Sequence, residues 1–169
     1  GGDNAPDMVI EGIEASLAHL SQAKFLVFGD KARLSPLLEK HPLAAAASEI
    51  RHTDEAITTD QKVSTALRAG RNSSMRLAID AVGSGEAAGV ISAGNTGALM
   101  AMAKFVLKTL PGIDRPAIAA YYPTQRGQSV MLDLGANVDC DADNLVQFAV
   151  MGEVFARNVL GRENPSIGI

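Results

Sequence analysis

The sequence predicts an α/β fold, a mostly parallel sheet with helices on both faces. Three observations carry that prediction. Short apolar runs alternate with segments whose apolar residues recur at helical spacing. The runs are apolar throughout, as in strands covered on both sides. Glycine-bearing turns then stand where a strand must give way to a helix. At 169 residues the chain has the usual size of one domain, and we read residues 1–169 as a single, partial α/β domain. A domain of that size buries roughly 70% of the surface its unfolded chain exposes, enough for a real core.

Each element has a local justification. Asp3, Asn4 and Pro6 supply helix-start chemistry, and Ile10, Ile13, Leu17 and Leu20 mark the buried stripe that follows. Phe25-Leu26-Val27-Phe28, ended by Gly29-Asp30, reads as a strand, and Glu49-Ile50-Arg51 as a weak one. Between them Ser35-Pro36 opens a brief helix, Leu37 to Lys40. A helix carrying Val63, Ala66 and Leu67 fades near Gly70, and Ser73 or Ser74 caps a second one carrying Leu77, Ile79 and Val82. Gly89-Val90-Ile91 is the next expected strand. After it comes a helix with Ala98, Met102, Phe105 and Thr109 inward, stopped by Pro111-Gly112. Two further strands are expected, Ala117-Ile118-Ala119-Ala120-Tyr121 and Val130-Met131-Leu132-Asp133-Leu134, with an irregular turn around Gln125-Arg126-Gly127. Asp141 or Asp143 starts a long helix facing Leu145, Phe148, Ala149, Gly152, Phe155, Ala156 and Val159 inward, and Gly161 ends it. Both ends read as cut: Gly1-Gly2-Asp3 looks like the turn after a strand, and Ser166-Ile167-Gly168-Ile169 like the start of one.

Composition excludes several function classes. With 47% hydrophobic and 20% charged residues the chain is globular rather than disordered, and no apolar run suffices to cross a bilayer. Cys140 stands alone, which excludes an internal disulfide framework and suits a reducing, cytoplasmic setting. A net charge of −4 with 4% aromatics and no Trp counts against nucleic acid, which needs a basic stripe or stacking platforms. No spacing resembles a zinc site, no P-loop lysine is present, and no G-x-G-x-x-G follows a strand, so neither a metal nor a nucleotide cofactor is expected.

Chemistry gathers instead on three turns. Open α/β sheets bind ligands outside the carboxyl ends of their strands. Gly1-Gly2-Asp3-Asn4, Gly94-Asn95-Thr96-Gly97 and Gly135-Ala136-Asn137 would all fall at that edge. The second leads into a helix, whose free N–H groups and positive dipole end suit an anion. Its ordinary reading is a strand-to-helix connection with Asn95 as N-cap. Ser73 and Ser74, flanked by Arg68, Arg71 and Arg76, add hydroxyls and guanidinium groups for a second anion wall. The plainer reading makes the serines caps and the arginines a solvated face. Asp133 is either catalytic or a cap for a neighbouring loop. Cys140 reads as inert, and His19, His41 and His52 lack ligand spacing.

Several strings together resemble one family, the bacterial phosphate acyltransferases of phospholipid synthesis (the PlsX family). They are Gly1-Gly2-Asp3-Asn4-Ala5-Pro6, Ala66-Leu67-Arg68 with Asn72-Ser73-Ser74-Met75, and the run from Ser92 through Met100. Gly112-Ile113-Asp114-Arg115-Pro116-Ala117, Leu132-Asp133-Leu134-Gly135-Ala136-Asn137-Val138-Asp139 and Leu145-Val146-Gln147-Phe148-Ala149-Val150-Met151-Gly152 complete the set. The resemblance implies a three-layer α/β/α sandwich similar to isopropylmalate dehydrogenases, working as a cytoplasmic homodimer with peripheral membrane attachment. It implies transfer of a fatty acyl group from acyl carrier protein to inorganic phosphate, giving acyl phosphate for a membrane acyltransferase. It also implies a strand before Gly1 and a second half after Ile169 that carries the membrane contact, so that activity belongs to the full-length protein.

On that reading Asn95, Thr96 and Asn137 are the catalytic candidates, and Asp3, Arg68, Ser73, Ser74, Gly94 and Gly97 bind substrate or phosphate. The Gly94-to-Gly97 turn holds phosphate or the oxyanion, Arg68, Ser73 and Ser74 form the second wall, and Asp3 and Asn137 order the pocket. Arg68, Arg71 or Arg76 would guide an acidic carrier protein into place. A phosphotransacetylase-like enzyme using acyl-CoA, or a non-catalytic anion-binding or dimerisation fragment, are the competing readings.

Overall fold

A computed structural model describes residues 2–125 and 127–168. Gly1 of the first glycine turn, Arg126 of the irregular turn and Ile169 of the C-terminal run therefore lie outside the described residues. The chain forms two compact units, Gly1–Leu107 and Lys108–Ile169, with helices and strands mixed in the α/β manner.

The first unit carries helices α1 (Asp7–Ser16), α2 (Lys31–Lys40), α3 (Pro42–Ala47), α4 (Val63–Ala69), α5 (Ser74–Gly83) and α6 (Thr96–Leu107), with strands β1 (Phe25–Gly29) and β2 (Ser48–His52). β1 and β2 pair in parallel, Val27 opposite Ile50. Two clusters make the core. Ile10, Ile13, Val27, Leu34, Leu38 and Ala44 join α1, β1, α2 and α3. Ile57, Ala66, Met75, Ile79, Ala98 and Met102 join α4, α5 and α6. Ile10 and Ile79 are wholly buried, and each such side chain contributes about 1.5–3 kcal/mol by leaving water. Gly70 caps α4 because nothing larger fits: a Cβ there would stand 2.6 Å from the Ala66 carbonyl oxygen and 2.7 Å from Ile57 Cδ1.

The second unit carries β3 (Ala120–Thr124), β4 (Gly127–Met131) and α7 (Ala142–Leu160). β3 and β4 pair antiparallel, Tyr122 opposite Ser129. α7 begins in a capping box, the Asp141 carboxylate accepting the Asn144 N–H at 2.9 Å while Asn144 reaches back, and Gly161 ends it in the left-handed conformation.

Several sequence expectations are corrected. Gly89-Val90-Ile91 forms no strand: it finds no ladder partner among the described residues, and Ile91 is 93% exposed. Pairing makes a strand, and local apolarity does not supply a neighbour. The strand expected at residues 117–121 runs instead over Ala120–Thr124, and that expected at 130–134 over Gly127–Met131. Their short connection makes them an antiparallel hairpin, so the sheet pairs here are one parallel and one antiparallel. α2 starts at Lys31, since the Asp30 carboxylate accepts the Ala32 N–H at 2.9 Å and caps a full turn earlier than Ser35. Leu20 and Thr109 lie past the ends of α1 and α6, which removes them from those helices' inward faces. Phe105 is 68% exposed, and Leu145 and Val159 also stay exposed.

Candidate functional site

The start of α6 is built by one side chain. Asn95 Oδ1 accepts the Ala98 N–H at 2.9 Å and its backbone carbonyl accepts that of Leu99 at 2.9 Å, an N-cap as the spacing foretold. The other end of the same amide points away from the helix. Nδ2 donates to the carbonyls of Gln61 at 2.9 Å, Thr59 at 3.1 Å and Thr58 at 3.3 Å. Two protons serve three carbonyls, so the amide has no proton left to donate to a ligand. Asn95 therefore braces the turn against residues 58–61. No role is assigned to Thr58-Thr59-Asp60-Gln61 from the sequence alone.

What stays open at the mouth is backbone. Thr96 and Gly97 are exposed, and their N–H groups have no hydrogen-bond partner among the described residues. The Gly94 N–H donates to Ser92 Oγ at 3.2 Å, which keeps the turn tight. Gly97 also sits against α4, since a Cβ there would stand 2.9 Å from Val63 Cγ2.

The first glycine turn joins this place. Gly2 has φ +105°, and a Cβ on it would stand 2.9 Å from the Ala93 carbonyl oxygen. Asp3 Oδ1 accepts the Thr59 hydroxyl at 3.2 Å, so Asp3 and Asn95 both hold the residue 58–61 loop. The structure thus brings together Asp3, Gly94, Asn95, Thr96 and Gly97. Charge at this mouth is mixed. Asp60 is fully exposed, and the Thr58 hydroxyl and its own backbone N–H hold its carboxyl below the ordinary value of 3.8. Asp3 adds a second carboxylate. An anion here would rely on the N–H groups and the helix dipole against both.

The second wall is differently employed. Ser73 is wholly buried: its hydroxyl donates to the Gly70 carbonyl at 2.7 Å and accepts the Arg76 N–H at 3.3 Å. Its one proton is spent, so Ser73 fulfils the capping alternative. Ser74 is half-buried with its N–H on the Glu55 carbonyl. Arg68 is exposed and donates from Nε to the Ser64 carbonyl at 3.2 Å on its own helix. Arg76 pairs with Asp80 at 2.9 Å and lies 5.5 Å from the Phe105 ring centre. No hydrogen bond among the described residues ties Arg68, Ser73 or Ser74 to the residue 94–97 turn.

The second unit holds the third turn in a polar net. Asp133 Oδ1 accepts the Ile118 N–H at 2.7 Å, and Oδ2 accepts the Asn137 N–H at 2.6 Å and its Nδ2 at 3.0 Å. Asn137 Nδ2 also donates to the Pro116 carbonyl at 3.0 Å. Partial burial pushes the Asp133 carboxyl up. The N–H groups of Ile118, Asn137 and Leu134 and the Asn137 amide outweigh it, holding the carboxyl below 3.8. Asp133 is thus a loop clamp, the second of its two sequence readings. The Cys140 thiol is exposed and rests on the Asn137 carbonyl at 3.8 Å.

A crevice of about 520 Å³ opens at the carboxyl ends of β1 and β2, lined by Asp30, Lys31, Ala32, Ser35, Pro36 and His52. It contains none of the residues chosen from sequence. Among the described residues no three His, Cys, Asp or Glu side chains gather to hold a metal, and no helix is long and apolar enough to cross a membrane.

The model of the family described as fatty acid synthesis protein matches residues 1–169. Proteins named phosphate acyltransferase are similar over the whole chain: 65% identical in Rhodospirillum centenum, 59% in Paramagnetospirillum magneticum and 58% in Rhodospirillum rubrum. In each case all of this chain aligns with 48% of the relative, so it spans about half their length.

Proposed function

We propose a function that follows from one fact of kinship: the chain belongs to the fatty acid synthesis protein family. The full-length protein transfers a fatty acyl group from acyl carrier protein to inorganic phosphate. A phosphate oxygen attacks the thioester carbonyl, the tetrahedral oxyanion collapses, the C–S bond breaks, and the thiolate leaves and takes up a proton. The product is acyl phosphate for phospholipid synthesis, passed to a membrane acyltransferase. The protein acts as a cytoplasmic homodimer of three-layer α/β/α architecture that meets the membrane peripherally.

The chemistry asks little of side chains. Phosphate is the nucleophile, so no Ser–His–Asp arrangement is needed. A free thiol has a pKa of about 8.5, so the leaving group needs no strong general acid. The protein must place phosphate beside the thioester and stabilise developing negative charge. In this reading the Thr96 and Gly97 N–H groups, at the positive end of α6, seat the anion, and the Thr96 hydroxyl is the side chain poised over it. Asn95 and Asp3 position that turn through residues 58–61, Arg68 adds a positive field, and Asn137 orders the thioester end. One observation carries the reading. Two backbone donors stand open in a doubly braced turn, in a chain whose relatives are named phosphate acyltransferases.

Incubating the full-length protein with long-chain acyl carrier protein and phosphate should yield acyl phosphate. No product would overturn the reading, and equal turnover of acyl-CoA would favour a phosphotransacetylase-like enzyme. Thr96→Ala and Asn95→Ala should each slow acyl phosphate formation at least tenfold, about 1.4 kcal/mol of transition-state stabilisation. Unchanged turnover in both variants would remove this turn from the mechanism.

A further inference from the structure

The Asp133–Asn137 net settles which end of an amide faces outward. Asn137 Nδ2 is held between two groups that can only accept, the Pro116 carbonyl at 3.0 Å and Asp133 Oδ2 at 3.0 Å. Both its protons are used there, and the chemistry of the partners fixes nitrogen, not oxygen, at that position. Asn137 Oδ1 has no hydrogen-bond partner among the described residues, and the residue is half-buried rather than sealed. Asp133 cannot relax this choice, because its carboxylate also takes the N–H groups of Ile118 and Asn137.

We infer that Asp133 is a positioning residue that locks the Asn137 amide, so that Asn137 meets substrate as a hydrogen-bond acceptor and not as a donor to the oxyanion. This rests on the proposed function, in which Asn137 lies at the substrate. The group opposite Oδ1 then carries a proton. Two sources share that chemistry, the P–O–H of hydrogen phosphate and an amide N–H of the arm bearing the thioester. The carboxyl's lowered pKa agrees, since Asp133 stays an acceptor throughout the neutral range.

The test uses the full-length protein. D133A removes Oδ2, one of the two acceptors that hold Nδ2, which frees the Asn137 amide to turn. Hydrogen phosphate carries an O–H at neutral pH and sulfate carries none, so the two anions read the acceptor separately. If the phosphate O–H faces Oδ1, D133A raises KM for phosphate at least tenfold, more than kcat falls, while sulfate inhibits as well as before or better. If the thioester arm faces it, KM for the acyl donor rises instead and the phosphate-to-sulfate ratio holds. Either result supports the lock. A folded D133A with both KM values and that ratio unchanged overturns it.

Where D133A does not fold, the unmutated protein decides. With asparagine labelled by ¹⁵N, the Asn137 NH₂ protons should exchange slowly with solvent, both before and after phosphate and an unreactive acyl donor analogue are added. Free exchange in either state overturns the lock. Failure to make acyl phosphate would remove the proposed function alone, since the exchange measurement needs no turnover.

Discussion

The two units hold themselves together by different means. In the first, α1 to α6 bury Ile10, Leu34, Ile79 and Met102 in two apolar clusters. In the second, Phe148 and Ala156 are the buried apolar residues of α7, while Val146, at 61% exposed, Val150 and Val154 line up along it in the open. Order there comes from polar devices: the Asp141 capping box and the Asp133 clamp. Apolar burial is tolerant of local rearrangement and costly to excavate. Hydrogen-bonded clamps fail one partner at a time. The same helical periodicity therefore means core in one unit and exposed stripe in the other.

The largest effect should come from hollowing the first unit. Ile79→Ala should cost about 2–5 kcal/mol in denaturant unfolding, because a wholly buried side chain leaves a cavity. Asp133→Ala should cost about 1–3 kcal/mol, by leaving the Ile118 and Asn137 N–H groups unmatched. Amide exchange should then rise at residues 116–118 and 133–137, with the first unit's protection unaltered. A global loss of protection would break the contrast.

Acid probes the same clamp with a definite sign. The folded carboxyl titrates below its ordinary 3.8, so its contribution is present above that value and is lost as pH falls through the lowered one. Exchange at Asn137 should quicken only there. Asp141→Ala should cost about 1 kcal/mol by uncapping α7, visible as fraying of its first turn in amide exchange. The smallest effect belongs to Val150→Ala, within about 0.5 kcal/mol, since an exposed side chain leaves no cavity. A loss as large as that of Ile79→Ala would place the valine stripe in a core.

Caps and breaks were the legible part of the chain. Ser73, Asn95, Asp141 and Gly161 all occupy the helix ends assigned to them, because capping depends on residues a few positions apart. β1 and β2 were legible as well, their runs being apolar enough to lie in a covered pair. Strand partners were not, as Gly89-Val90-Ile91 and the β3–β4 hairpin demonstrate. Nor was burial along α6 and α7, where Phe105 and Leu145 obey helical spacing yet face outward. At the candidate site the sequence named Asn95 without revealing that both ends of its amide are occupied. That depends on residues 58–61, and no local pattern announces a loop so far away in the chain.

Gly2 bears on how this site tolerates change. The atom that a methyl group at position 2 would meet is a main-chain oxygen, at Ala93, and not the tip of a flexible side chain. No rotamer elsewhere can make room for it. A substitution at Gly2 has to be absorbed by a shift of main chain, at Gly2 itself or along the Ala93 segment that leads to the open N–H groups of Thr96 and Gly97. Second-site suppressors of such a change should therefore be found in loop length, as insertions or deletions, and not among the neighbouring side chains.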